Sequence, residues 1–324
     1  MPAKFSCYNE RLPNCRTNSM QKLSNTAAIY IVKPEFLPEL CKELGEVSDV
    51  ISDLVFSPHK KIDVCFAQDI WLEPQFVTFQ SISEAVKILR QAGKFWYLHP
   101  ISQIRRSRLI EEQLRKYPPL ARQFPIESDI PTIGGFSLLD QNTLVYSTKR
   151  LKKWPDGKCG FIEDKINPPN RAYLKLWEAL TLLEKYPTPG ESALDLGASP
   201  GGWTYVMQSL GATVTAVDKA LLDPRIAKRP RVQFLQQSAF ALDPATLDQT
   251  YDWVLSDIAC YPDRAYALIM KWIASGKAKQ MIFTIKLQGK IELSTLQPFQ
   301  AIPNSRIVNL FYNKHEATFF FPAS

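Results

Sequence analysis

Hydrophobic and polar positions fall into two regimes along the chain. Up to about residue 150 the apolar runs are short and mixed in type. AAIYIV (27–32) is rich in β-branched and aromatic residues and predicts a strand, and PEFLPELCKELG (34–45) predicts a short amphipathic helix ending at Gly45. KIDVCF (61–66) alternates as a strand does, SISEAVKILRQAG (81–93) has the form of a capped helix, and KFWYLH (94–99) predicts another strand. IRRSRLIEEQLRKY (104–117) predicts a helix with a basic exposed side, and FSLLD (136–140) with TLVYS (143–147) predicts a hairpin. LKKWPDGKCGFIEDKINPPN (151–170) is rich in proline, glycine and charge and breaks the pattern.

From Arg171 onward, helix and strand alternate. RAYLKLWEALTLLEKY (171–186) is a predicted helix, SALDL (192–196) a buried-type strand, GGWTYVMQSLG a helix and TVTAVD (213–218) a strand. VQFLQQ (232–237), YDWVLSD (251–257) and QMIFTIKL (280–287) are further apolar strands, the last two joined by the helix RAYALIMKWIASG (264–276). RIVNLFY (306–312) and ATFFF (317–321) lie close enough together to form a terminal antiparallel hairpin. Alternating βα units predict an α/β fold with a mostly parallel, doubly wound sheet that binds ligands at the carboxyl ends of its strands. The expected organisation is an accessory α+β domain over 1–150, a linker over 151–169 and a larger domain over 170–324.

Composition narrows the function classes. Of 324 residues, 45% are hydrophobic and 22% charged, enough for packed cores. No stretch approaches the ~20 apolar residues of a membrane span, and the N-terminus is too polar and proline-broken for a secretory signal. Cys7, Cys15, Cys41, Cys65, Cys159 and Cys260 are scattered without a CxxC pair, so reduced thiols, a cytoplasmic location and no metal site are expected. The net charge of +7 is gathered into clusters. Arg105, Arg106, Arg108, Arg115, Lys116 and Arg122 form one, and Lys149, Arg150, Lys152 and Lys153 a second. Lys219, Arg225, Lys228, Arg229 and Arg231 form a third, and five lysines from Lys271 to Lys290 a fourth. Any one of these reads as a solvated face. Four together favour a surface that meets phosphates.

ALDLGASPGGW (193–203) is the most informative stretch. A strand ends at Leu196, and Gly197, Gly201 and Gly202 allow a tight turn before the next helix. The loop is neither G-x-G-x-x-G nor a P-loop. Asp218 ends the following strand 21 residues after Gly197, where a carboxylate can accept bonds from a ribose diol. The unit predicts a nucleoside-containing cofactor.

DLGASPGGW resembles the S-adenosylmethionine (SAM) loop of the FtsJ/RrmJ-type ribose 2′-O-methyltransferases. The likeness runs from about Asn167 to Ser324: PPNRAYLKLWEAL, LSDIA, FTIKLQ and NKHEATFF each resemble a motif of that family. PPNRAYLKLWEA, PGGWTY and YIVKPEFLPELCKEL are most similar to its bacterial 23S rRNA cytidine group. The likeness over 1–150 to that group's THUMP-type RNA-binding region is weaker. The resemblance implies a Rossmann-like class I methyltransferase, SAM as cofactor, ribosomal RNA as partner, no membrane and a monomer. It implies a catalytic tetrad of Lys175, Asp257, Lys286 and Glu316. It also implies that Asn170, Gly197, Ser199, Pro200, Gly201, Gly202, Trp203, Asp218, Ser238 and Asp257 hold the cofactor, with Trp203 equally placed to be a core aromatic under the loop. RNA is expected on Arg105, Arg106, Arg108, Arg115, Lys149, Arg150, Lys152 and Lys153.

The chemistry is consistent with that set. A ribose 2′-hydroxyl is a weak nucleophile, and the methyl leaves a sulfonium as a neutral thioether, so alignment and a base are required. A lysine acts as base only when neutral, and lowering its pKa from ~10.4 to ~8 takes roughly 3 kcal/mol. Burial and a second ammonium push that way, while two carboxylates push against it. Lys286 is the expected proton acceptor and Lys175 its partner. Two departures from the family pattern stand out. Ser238 occupies the place of an adenine-binding aspartate, exchanging a charged hydrogen bond for a neutral one, about 1 kcal/mol weaker. Residues 291–304 are short where the family has a longer helix. Other readings are a different RNA as substrate, a non-catalytic RNA-binding relative, or a nicotinamide dehydrogenase; the PGG loop speaks against the last.

Overall fold

Three sheets organise the chain. The computed structural model describes residues 23, 25–117, 121–126, 129–287, 289 and 292–322; Cys7, Cys15 and Lys290 lie outside them. The first sheet is built on β1 (Ala28–Val32), which is buried throughout and pairs antiparallel with β3 (Leu54–Ser57) and β4 (Ala67–Leu72). β2 (Asp49–Ile51) and β9 (Lys149–Arg150) close its edges. Helix α1 (Leu37–Leu44) follows β1 through a 3₁₀ turn and stops at Gly45, whose φ of +78° is left-handed and suits glycine.

The strand expected over 61–66 does not form. The Glu43 carboxylate takes the backbone N–H groups of Cys65 (2.9 Å) and Phe66 (3.1 Å), and the Tyr30 hydroxyl takes that of Lys61 (2.8 Å). Donors spent on side chains cannot join a ladder, and pairing begins only at Ala67.

A second sheet, ordered β5 (Gln75–Thr78), β8 (Thr143–Ser147), β7 (Gly134–Leu138) and β6 (Trp96–Leu98), carries α2 (Ile82–Ala92) and α3 (Ile104–Gln113). Helix α2 opens with a reciprocal cap: Ser81 Oγ accepts from Glu84 N and the Glu84 carboxylate accepts from Gln80 N.

The third sheet has seven strands: β10 (Ser192–Leu196), β11 (Thr213–Asp218), β12 (Val232–Gln236), β13 (Tyr251–Ser256), β14 (Ala278–Lys286), β15 (Arg306–Val308) and β16 (Glu316–Phe321). Their order is β12-β11-β10-β13-β14-β16-β15, parallel except that β16 runs antiparallel to both β14 and β15. This is the expected doubly wound sheet with its terminal hairpin, the Rossmann-like class I methyltransferase fold. Helices α4 (Tyr173–Leu183), α5 (Gly202–Ser209) and α7 (Pro262–Ser275) are the principal helices around it, with the short α6 (Pro224–Ala227) after β11 and α8 (Gln297–Gln300) before β15. The chain turns from β10 to β11 on one side and reaches β13 on the other, so the glycine loop after β10 sits where the strand order reverses.

The first and third sheets share one core. Tyr30, Phe36 and Phe66 belong to the same buried cluster as Leu194, Phe283 and Ala317. Polar contacts reinforce it: Lys33 Nζ donates to the carbonyls of Leu310 (2.9 Å) and Asn313 (2.7 Å), and Gln68 Nε2 to that of Asn309 (2.9 Å). Within 151–169, Trp154, Cys159 and Phe161 are buried with Trp177 of α4. No helix of the described residues is long and apolar enough to cross a membrane.

Candidate active site

Lys175, Asp257, Lys286 and Glu316 meet at the carboxyl edge of the large sheet. Register does much of the work. Lys286 and Glu316 face one another across β14 and β16, so their side chains leave the sheet on one face. Asp257 follows the last residue of β13, and Lys175 reaches in from the first turn of α4. Lys286 Nζ lies 2.5 Å from Asp257 Oδ1 and 2.5 Å from Glu316 Oε2, while Lys175 Nζ lies 2.7 Å from Asp257 Oδ2 and 2.9 Å from Glu316 Oε1. Each ammonium therefore bridges both carboxylates.

The four side chains are only 10–19% exposed, which strengthens these contacts yet leaves one side open. Burial alone would lower the pKa of Lys286, but Asp257 and Glu316 together outweigh it and hold the ammonium above its ordinary 10.5. For Asp257 and Glu316 burial pushes upward, and the two lysines more than reverse it, so both carboxyls lie below their ordinary range. The two carboxylates thus outweigh burial at Lys286, and Lys286, Asp257 and Glu316 rest in their charged forms.

Supporting residues absent from the sequence expectations complete the site. Thr284 donates to Asp257 Oδ1 at 2.5 Å. It stands two residues before Lys286 on one strand, hence on the same face, a spacing visible in FTIKLQ. Buried Glu178, one turn beyond Lys175 on α4, accepts from the N–H groups of Phe311 (2.8 Å) and Tyr312 (2.9 Å), tying the approach to β16 to the helix. Burial raises its carboxyl, and those two N–H groups offset part of the rise. Buried Asp195 accepts from Thr204 Oγ1 at 2.6 Å, linking β10 to α5, and burial pushes its carboxyl up to about 7. An acid inside an apolar strand, as in SALDL, was the available signal.

The glycine loop adopts the expected strand–turn–helix path, but its glycines answer to protein neighbours. A Cβ on Gly197 (φ +76°) would come within 2.1 Å of Ile258 Cγ1, one on Gly201 (φ +114°) within 2.8 Å of Ile226, and one on Gly202 within 2.3 Å of Asn170 Oδ1. Asn170 Oδ1 in turn accepts from Ala172 N. Ser199 N donates to Asp218 Oδ2 (3.0 Å) and Ala220 N to Oδ1 (2.9 Å). Those bonds orient the half-buried Asp218 at the tip of β11 and leave lone pairs for a diol. A turn of this shape, an oriented carboxylate at the next strand end and Asn170 beside the turn fit the adenosine and methionine parts of SAM. Ser238 lies after β12, its carbonyl accepting from Ala241 N. Trp203 is buried, with Nε1 donating to Ala172 O (3.0 Å), so its side chain is the core aromatic under the loop.

The expected RNA contacts divide. Arg105, Arg108 and Arg115 are exposed, Arg108 pairing with Glu111 at 2.6 Å. Arg106 is half-buried over the Phe79 ring. Lys149 pairs with Glu73 and Lys153 with Glu184 at the surface. Arg150 is a correction: its side chain is 3% exposed, 2.6 Å from the fully buried Asp69, and bonded to the carbonyls of Ile133 and Trp154. An arginine so engaged holds β4 to β9 and has no face left for a phosphate. Lys152 is also drawn inward, lining a cavity of about 200 Å³ with Glu178 and Arg306; burial, then Arg306, lower it to about 8.

Several known proteins are similar to parts of this chain. The FtsJ-like methyltransferase family model matches residues 168–298. The ribosomal RNA large subunit methyltransferase M of Halorhodospira halophila is 34% identical over 175 residues, covering 52% of this chain and 50% of that protein. Its counterpart from Xylella fastidiosa (strain M12) is 29% identical over 280 residues, covering 79% and 71%. The chain spans about half the length of the first of these relatives. Among solved structures, TrmN from Thermus thermophilus aligns with 90% of this chain and 98% of its own, at 13% identity and a TM-score of 0.36. With its strand order, its glycine loop and this match, the segment 168–298 is an FtsJ-like methyltransferase domain, and its cofactor is S-adenosylmethionine.

Proposed function

We propose that this protein is an RNA ribose 2′-O-methyltransferase whose substrate is ribosomal RNA, a 23S cytidine in the first instance, acting in the cytoplasm as a monomer without a metal. The observation that carries this reading is the convergence of Lys175, Asp257, Lys286 and Glu316, four groups from four elements, on one partly open point. Bound SAM supplies an electrophilic methyl group; Asn170, the 197–203 loop and Asp218 hold it. Lys286, once neutral, accepts the 2′-hydroxyl proton at Nζ. Asp257 and Glu316 fix both lysines in hydrogen-bonding range, and Lys175 donates to the ribose oxygen so that its lone pair is aimed. Exposed Arg105 and Arg108 on α3, with Arg115 just beyond its end, contact RNA phosphates, giving the accessory domain over 1–150 its role. The names of the relatives support ribosomal RNA as the substrate class.

Labelled SAM and ribosomal RNA test the reading. The wild-type protein deposits a methyl group that blocks alkaline cleavage of the adjacent phosphodiester, because that cleavage needs the free 2′-hydroxyl. Lys286→Ala abolishes the block and keeps SAM affinity within a few-fold. Normal methylation by the alanine variant overturns the assignment of the base; label on a base atom overturns the reaction.

A further inference from the structure

A cavity of about 520 Å³ opens between the chain that leaves β13 and the chain that leaves β14. Its walls come from both strand exits that carry the cluster. Tyr261, Pro262 and Tyr266 belong to the segment after Asp257, and Leu287 directly follows Lys286. Phe299, which meets Tyr266 edge to face at 5.3 Å, lines it from the side of 292–299. The lining is mainly apolar, and among the described residues no lysine or arginine contributes to it, while Asp263 and Glu292 do. Tyr261 is 63% exposed although its backbone is rigid: its carbonyl accepts from Arg264 N and Ala265 N at the start of α7. An exposed aromatic ring on a fixed helix cap at a cavity mouth lacks a folding explanation, because it buries little.

We infer that this cavity receives the base of the nucleotide whose ribose is methylated, and that the Tyr261 ring stacks on that base. The inference rests on the function proposed above and adds the residues that position its target. The carboxylates of Asp263 and Glu292 suit a base with donor groups on its edge. An apolar space of this size is in the range of small-molecule sites, and recognition of unstacked RNA bases by aromatic faces is a general mode. A base seated between the two strand exits leaves its own ribose facing Asp257 and Lys286. Tyr261 is therefore a positioning residue, since it meets the base and not the reacting atoms.

The test uses the full chain, ribosomal RNA and SAM. Tyr261→Ala is expected to raise KM for RNA or lower kcat/KM roughly ten- to hundredfold, the usual effect of losing one base–aromatic stack, with SAM affinity unchanged; Tyr261→Phe retains near-normal values. Ser294→Trp, at an exposed position on the wall, fills the cavity and is expected to block RNA methylation with SAM binding intact. Wild-type methylation together with unaltered kinetics in Tyr261→Ala and Ser294→Trp overturns the inference and leaves the proposed function standing. Absence of any ribose methylation by the wild-type protein overturns the proposed function, and this inference with it.

Discussion

Replacing Glu316 by glutamine isolates the electrostatics of the cluster. Its carboxylate lies 2.5 Å from Lys286 Nζ and 2.9 Å from Lys175 Nζ, and it is one of two acids that keep Lys286 above its ordinary 10.5. With a pKa at or above that value, at most about one Lys286 in a thousand is neutral at pH 7.5. If Lys286 is the base, kcat/KM measured at subsaturating SAM reports the free enzyme and rises about tenfold per pH unit, without a plateau below about pH 10. An opposite charge in direct contact shifts a pKa by roughly 1–3 units. Removing it moves the rising limb of the Glu316→Gln profile to lower pH by that amount, while the side chain keeps its length and one acceptor oxygen. The maximal rate falls because Lys175 loses a contact, so the position of the limb is the quantity that decides. The assay is initial-rate methylation of ribosomal RNA from pH 6.5 to 10, with circular dichroism as a check on folding at each end. A wild-type plateau below pH 9, or a variant limb that stays in place, refutes the account of the base.

Three further outcomes follow from the geometry. His99 is buried between Asp156 (2.7 Å) and Asp53 (2.9 Å); burial would lower its pKa, but the two carboxylates outweigh it and raise it to about 9. A raised folded-state pKa contributes stability that is complete below about pH 6.5 and lost as pH rises through about 9, so urea titrations show wild-type stability falling across that window and His99→Gln flattening the fall. Asp69→Ala leaves the buried Arg150 guanidinium without its counter-charge and is expected to cost about 3–5 kcal/mol in the same titration, whereas Lys149→Ala at the exposed Glu73 pair leaves the urea midpoint nearly unchanged. Gly197→Ala meets Ile258 at 2.1 Å in a left-handed conformation and is expected to weaken both stability and SAM affinity in calorimetry; adding Ile258→Ala relieves the clash and leaves the backbone cost of about 1–2 kcal/mol.

The large sheet was legible in the sequence because its central strands β10, β13 and β14 are largely buried and read as apolar runs. Its site was legible for a different reason: the four charged residues sit in motifs whose likeness to a family names them, although 141 positions separate Lys175 from Glu316. What the sequence hid was pairing at a distance. KIDVCF alternates like a strand, yet Glu43, about twenty residues earlier, captures its N–H groups. Arg150 sits in a basic knot, yet its partner Asp69 lies 81 positions away inside β4. Periodicity reports which face a residue takes and is silent about which side chain will meet it. The short strands β2 and β5 were missed because half-exposed edge strands carry too little apolar signal.

Helix α4 explains why the cofactor loop and the acid–base cluster stay in register. At its start, Asn170 fits against Gly202, and the carbonyl of Ala172 takes the indole N–H of Trp203, which fixes the loop. In its first turn Lys175 bonds Asp257 and Glu316. One turn on, Glu178 holds the chain that leads into β16. These contacts span nine residues of a stiff rod with 1.5 Å rise per residue where helical. An error in any one therefore displaces the others only by bending or sliding the whole helix, whose apolar side is packed among Phe124, Phe161 and Trp203. Methyl transfer needs donor and acceptor aligned to within a fraction of an ångström. Placing the loop's anchor, one lysine of the proposed tetrad and the clamp on the opposing strand along a single helix meets that demand with few independent parts.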